Sequence, residues 1–289
     1  MGIDTSILDG LDLSASEEVV KRDFSEFHYA NKIDPNKVYK KPPLAVSVGL
    51  DPVPYKGTNY PLKLFSFGDI SMIVGEEKSR KSFVKSMITG CAIGGKANEY
   101  NEDIKGYGLH DKWIIDLDGE QSEYDCFLNH DRIPKMCGGM PQNYHYVQLR
   151  GMKKKERVQY LDWLFMESEF RNNLGLVNMD GFVDFCKNFN DLETSEEYVV
   201  DLLRYAAITK CHISGVLHLN PGSEKSRGHL GTILQQKAEQ VIMVKNIGDV
   251  SEVVCKSVRG SRKFETFYVG VDSNWLPYKA DYSESVGGI

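Results

Sequence analysis

The segment ISMIVGEEKSRKSF, residues 70–83, restricts the architecture more than any other part of the chain. Its first five residues are a short apolar run of the kind that suits a strand covered on both faces. A polar stretch follows, opening with Gly75 and closing with Lys81 and Ser82, and an amphipathic helix is predicted over residues 81–93. A doubly covered strand that runs through a loop into a helix is half of a crossover unit, and such units build parallel sheets with helices on their faces. The pattern recurs downstream, with strands predicted at 113–117, 144–149, 174–179 and 213–217 and helices at 122–130, 153–171 and 194–209. Thr194 and Glu197 have the spacing of a capping box at the start of the last helix. After Gln240 the pattern becomes VIMVKN, EVVCKSV and ETFYVGVD, separated by Gly248-Asp249 and Gly260, which predicts antiparallel strands finishing the sheet. The expected fold is therefore α/β: a mostly parallel twisted sheet flanked by helices, extended by antiparallel C-terminal strands.

Residues 1–60 read as an N-terminal arm, 61–280 as the core and 281–289 as a tail. Pro35, Pro42, Pro43, Pro52, Pro54 and Pro61 interrupt any long element in the second half of the arm. Before them, Ser14 and Glu17 have capping-box spacing, and Val19, Val20, Phe24 and Phe27 form an apolar stripe of a helix reaching about Asn31. That stripe needs a surface to cover, either its own core or a neighbouring subunit.

The polar loop at 75–82 matches the Walker A pattern G-x-x-x-x-G-K-[ST] at all positions but one. In that pattern backbone N–H groups and a helix N-terminus surround phosphate oxygens, the lysine neutralises the terminal phosphates and the hydroxyl holds Mg²⁺. Arg80 stands where the second glycine belongs. The nucleotide-contacting positions expected here are Gly75, Lys78, Ser79, Arg80, Lys81, Ser82 and Phe83.

Each following strand delivers a polar group to its C-terminal tip, the end at which open α/β sheets bind ligands. WIIDLDGEQSEYD offers Asp118, Glu120 and Glu123 as general bases, and spacing alone does not choose among them. Asp180 ends LGLVNMD, either to hold Mg²⁺ or to serve as a turn residue before Gly181, and His218 ends VLH, as a sensor or a core histidine.

This order of motifs resembles the RecA-like ATPase core and, within it, the RepA/DnaB-type hexameric helicases of plasmids, phages and mobile elements, over about residues 60–275. The resemblance implies ATP and Mg²⁺ as cofactors. It assigns Lys81 to phosphate, Ser82 and Asp180 to the metal, Glu120 to activation of the attacking water and His218 to sensing the γ-phosphate.

The loop NPGSEKSRGHLGT at 220–232 is polar, glycine-rich and downstream of the His218 strand. By the same resemblance it lines a central channel, with Lys225, Arg227 and His229 as donors to the phosphates of single-stranded DNA. A solvated surface loop is the competing reading. A second loop, 182–193, carries Phe185, Lys187 and Phe189. The near-terminal CKSVRGSRKFETF is similar to the strand that brings a basic residue to the neighbour's ATP, with Arg259 preferred over Arg262 and Lys263 and exposed hairpin charges as the alternative. Such a residue presupposes a homo-oligomer, a hexameric ring by the resemblance.

Composition sets the outer limits. No apolar run reaches the ~18 residues needed to span a bilayer, and the N-terminus has no basic start or apolar signal core. The six cysteines show no C-x-x-C spacing, so a cytoplasmic, reduced protein without membrane contact is expected. The net charge of −6 argues against DNA coating through bulk charge. Three functions fit the reading: an ATP-driven DNA motor of helicase type, a DNA-binding ATPase acting as loader or recombination mediator, and a nucleotide-binding regulatory module with weak catalysis.

Overall fold

The computed structural model describes residues 23–54, 56–220, 222, 226 and 228–281. It divides into two units, Met1–Lys41 and Pro42–Ile289. The first contains one described helix, α1 (Ser25–Asn31), entered through a turn in which Asp23 accepts from the Ser25 N–H. The start expected at Ser14 lies outside the described residues.

The second unit is built on a nine-stranded sheet. Its parallel part holds β3 (Ile70–Gly75), β5 (Trp113–Asp118), β6 (Tyr144–Gln148), β7 (Leu174–Asp180), β8 (His212–His218) and β9 (Gln240–Ile247). The order is β12-β11-β10-β9-β3-β8-β7-β5-β6, with β10 (Val250–Val258), β11 (Phe267–Val271) and β12 (Pro277–Ala280) antiparallel at one side. Apolar runs correspond to central strands because both faces are covered. Ile70, Met72 and Val74 face one core with α5 (Leu192–Thr209) and α6 (Gly228–Lys237). Ile73 faces another with α2 (Lys81–Ile93).

A second sheet, absent from the sequence reading, orders β2 (Pro61–Ser66), β1 (Leu44–Leu50) and β4 (Ile104–Gly106) antiparallel. Leu44–Leu50, assigned above to the arm, thus belongs to the core unit. The prolines frame these strands rather than exclude them: Pro43 precedes β1 and Pro61 occupies the first position of β2, where a missing N–H is tolerated. Buried Glu239 joins the two sheets, accepting from the Ser66 N–H at 2.5 Å and from Lys63 Nζ at 2.7 Å.

Four helices differ from expectation, the first being α6, which begins at Gly228 inside the loop read over 220–232. α5 begins two residues early because Asp191, not Thr194, is the N-cap, its Oδ1 accepting from the Thr194 N–H at 2.8 Å. α3 (Glu123–Cys137) takes Ser122, read as its first residue, as its N-cap and continues past residue 130 through Pro134 to a left-handed Gly138. The helix predicted at 153–171 is α4 (Lys154–Asp162) followed by a π turn, Trp163–Glu167, closed by Ser168. No helix of the described residues is long and apolar enough to cross a membrane. All six cysteines are free, five of them buried.

Candidate nucleotide and metal site

The register of the parallel strands gathers four tips. Gly75 ends β3 opposite His218 of β8, while Asp180 ends β7 opposite Asp118 of β5. Since β3, β8, β7 and β5 are consecutive neighbours, the loop and the polar groups share one edge of the sheet.

At the loop, a Cβ on Gly75 would fall 2.3 Å from the Val244 carbonyl oxygen and 2.6 Å from Ser79 Oγ, so only glycine fits. Lys78 and Arg80 have φ of 59° and 64°, the left-handed region that glycine takes freely. For arginine this costs about 1 kcal/mol. The side chain supplies the compensation, because Arg80 Nη2 donates to the Gly248 carbonyl at 3.0 Å and Nη1 lies 3.4 Å from Asn246 Oδ1 and Ser251 Oγ. Ser251 Oγ in turn donates to the Ser79 carbonyl at 3.0 Å. Arg80 therefore clamps the loop to the β9–β10 turn, leaving its backbone in the cradle. Arg80→Gly is expected to keep nucleotide affinity within about threefold, since glycine adopts the same torsions without strain. A loss above about tenfold in calorimetric titration would make the guanidinium itself a ligand contact.

Lys81 opens α2 with Nζ turned back to the carbonyls of Gly75 at 3.0 Å and Glu76 at 2.5 Å. Burial lowers its pKa to about 8, against the opposing pull of Asp180, Glu77 and Glu120. Its ammonium is thus still the major form at pH 7 but less favoured than on a free lysine, and a bound polyphosphate would strengthen it. Nucleotide affinity should be flat below pH 8 and fall by up to about tenfold per unit above it, as protonation of Lys81 becomes part of binding. Titrations between pH 7 and pH 9.5 check this.

Ser82 Oγ donates to Asp180 Oδ2 at 3.3 Å, so the two residues expected to hold the metal touch. Lys85, one helical turn past Lys81 and missed in the sequence reading, places its buried Nζ 3.2 Å from Asp180 Oδ2 and 3.4 Å from Asp116 Oδ2. Burial opposes its charge, but Asp116 and Asp180 outweigh that penalty and raise its pKa above the ordinary value.

The structure separates the three carboxylates of the β5 tip. Asp118 is fully buried, with Oδ1 accepting from the Glu120 and Gln121 N–H groups at 3.0 and 2.9 Å and Oδ2 from Tyr146 at 2.7 Å. It holds the turn. Glu120 is exposed on that turn, and its charge acts on Lys81, His218 and Asp184. Glu123 is exposed in the first turn of α3. The turn is backed by Arg157, whose Nη1 is 2.7 Å from where a Gly119 Cβ would lie and 3.6 Å from Asp184 Oδ1. His218 has its pKa lowered by burial and by Lys81, which leaves the ring neutral at pH 7, and its buried Nδ1 has no partner among the described residues.

The other expected positions are more scattered. Lys225 and Arg227 lie outside the described residues, while His229 is exposed in the first turn of α6. Phe185 is buried core, so the second loop offers Lys187 and half-buried Phe189 at most. The two loops are joined where the Leu230 N–H donates to the Phe189 carbonyl at 3.2 Å. Arg259 sits at the opposite end of the sheet, its Nη2 2.7 Å from Asp69, the residue preceding β3, so it is far from the loop of its own chain. Arg262 pairs with Asp51 at 3.3 Å.

Beside the loop, Phe83 leads into a groove of about 480 Å³ lined also by Tyr124, Arg132 and Trp275. The Arg132 guanidinium lies 3.7 Å over the Phe83 ring with Nε and Nη1 unpartnered among the described residues, and Trp275 is 69% exposed. Only Phe83 of this group was expected. The others lie on α3 and the β11–β12 turn, with no motif to mark them.

The crystal structure of the RadB recombinase superposes with a TM-score of 0.53, covering 76% of this chain and 94% of that one at 13% identity. The fold is RecA-like. No family model and no curated protein matches the sequence.

Proposed function

We propose that the chain is an ATP-hydrolysing, DNA-associated motor of the replicative-helicase type, assembled as a homo-oligomeric ring on single-stranded DNA. The observation that carries this reading is the gathering of Lys81, Ser82, Asp180, Glu120 and His218 around one loop at adjacent strand tips. The donor set fits a magnesium triphosphate: one hydroxyl touching one carboxylate, a lysine on loop carbonyls and an unpartnered imidazole nitrogen. When bound, Mg²⁺ would neutralise charge on the β- and γ-phosphates.

The rest of the mechanism belongs to the chain. Lys81 exchanges its carbonyl partners for phosphate oxygens, and the α2 N-terminus adds its dipole. Ser82 and Asp180 would hold the metal. Glu120, fixed through its backbone by Asp118, takes the proton of the attacking water. His218 meets the γ-phosphate. Arg259, remote from its own loop, reaches the neighbour's nucleotide and stabilises transition-state charge there. The Arg132–Phe83–Trp275 groove receives the base by stacking. Lys225, Arg227 and His229 are the residues this reading assigns to the DNA phosphates.

The likeness to a structure titled a recombinase favours, as second reading, a DNA-binding ATPase that loads or mediates rather than unwinds. Turnover with and without single-stranded DNA, together with unwinding of a forked duplex and oligomeric mass, separates them. A ring that hydrolyses ATP faster on DNA and opens the fork supports the motor. DNA-stimulated turnover without unwinding supports the mediator, and a monomer indifferent to DNA removes both.

A further inference from the structure

The α2 helix carries a second lysine that the phosphate chemistry does not need. The Lys85 side chain is 2% exposed, with Nζ 3.2 Å from Asp180 Oδ2, 3.4 Å from Asp116 Oδ2 and 5.3 Å from the Tyr146 ring centroid. Asp116 is itself 2% exposed and fully engaged below it, accepting from Asn178 Nδ2 at 2.6 Å and Tyr144 OH at 3.2 Å. In the sheet Asp116 is level with Asn178, two residues before Asp180, so it lies deeper than the strand tip. The ion pair is consequently oriented, with its ammonium nearer the tip and its carboxylate beneath.

We propose that Lys85 is a positioning residue and resident counter-ion of Asp180, which fixes that carboxylate against Ser82 and weakens Mg²⁺ binding at the nucleotide site. This rests on the nucleotide-site reading above. Asp180 Oδ2 is shared by Ser82 Oγ at 3.3 Å and Lys85 Nζ at 3.2 Å, so a divalent cation drawn to Asp180 meets a fixed positive charge already on the same group. Like charges at this range inside a partly desolvated site change a binding constant by about tenfold or more. Removing Lys85 alone would strand two buried carboxylates, so the informative change removes the oriented pair as a unit.

The experiment measures binding of a non-hydrolysable ATP analogue as Mg²⁺ is raised from zero in EDTA. It compares the wild type, Lys85→Met/Asp116→Asn, Lys85→Arg and Asp116→Asn, each checked for cooperative melting. The double variant should reach half-effect at about tenfold lower Mg²⁺. Asp116→Asn, which leaves the ammonium less neutralised, should need about threefold more or higher, and Lys85→Arg should stay within about twofold. An unchanged or raised Mg²⁺ requirement in a folded double variant overturns the proposal. If the double variant does not fold, an Asp116→Asn shift to higher Mg²⁺ supports it, and no shift or the opposite shift overturns it. Failure of the wild type to bind the analogue at all would instead remove the nucleotide-site reading.

Discussion

Lys81→Ala is expected to lower nucleotide affinity by roughly two orders of magnitude while the protein stays folded. The loss follows from removing charge-assisted hydrogen bonds to phosphate, each worth about 1.5–3 kcal/mol. The fold should tolerate the change for a local reason. The Gly75 carbonyl that accepts from Lys81 also accepts from the Leu219 N–H at 3.1 Å, so it keeps a partner. The lysine is moreover a buried cation whose desolvation offsets part of its attraction to nearby carboxylates, so its removal should cost no more than about 1 kcal/mol. Calorimetric titration and a thermal melt give the two readouts. Unchanged affinity in a folded variant would mean that the loop does not hold phosphate.

Glu120→Gln should retain nucleotide and Mg²⁺ binding and lose turnover by about 10²–10⁴-fold, because an amide cannot take the proton of the attacking water. The turn should survive, since its anchors are the Glu120 and Gln121 N–H groups on Asp118 and not the Glu120 side chain. Asp118→Asn offers the contrast. It weakens a buried acceptor of three hydrogen bonds and should lower stability by about 1–3 kcal/mol. Single-turnover hydrolysis, normalised to folded protein, separates the two carboxylates. Normal turnover in Glu120→Gln with loss in a Glu123 variant would reassign the base.

Much of this site was legible because its parts are local. The β3 strand, its loop and α2 are contiguous, and Asp180 and His218 each end an apolar run whose length alone marks the strand tip. Features that depend on distant pairing were not legible. The small sheet joins β1 to β4 across more than fifty residues, so its strands read as interrupted arm and loop. Arg80 looked like a defect because its partners, Asn246, Gly248 and Ser251, are about 170 residues away. Lys85 looked like an ordinary polar position on an amphipathic helix until β5 and β7 placed two aspartates beneath it. Thr194 was misread because Asp191, three residues upstream, offers the same Thr194 N–H a better-placed carboxylate. The buried place of Phe185 was not legible because an aromatic residue near a lysine in a polar stretch gives no sign, in one dimension, that its ring turns into the core.

The central claim is that the edge of the sheet formed by β3, β8, β7 and β5 binds and hydrolyses ATP. Its most direct measurement mixes the purified chain with ATP and Mg²⁺ and follows nucleotide bound per chain and phosphate released in the same sample. The account predicts about one nucleotide per chain at saturation and steady phosphate release that Glu120→Gln abolishes without loss of bound nucleotide. No nucleotide bound at millimolar ATP, or phosphate release that persists in a folded Lys81→Ala variant, would contradict it.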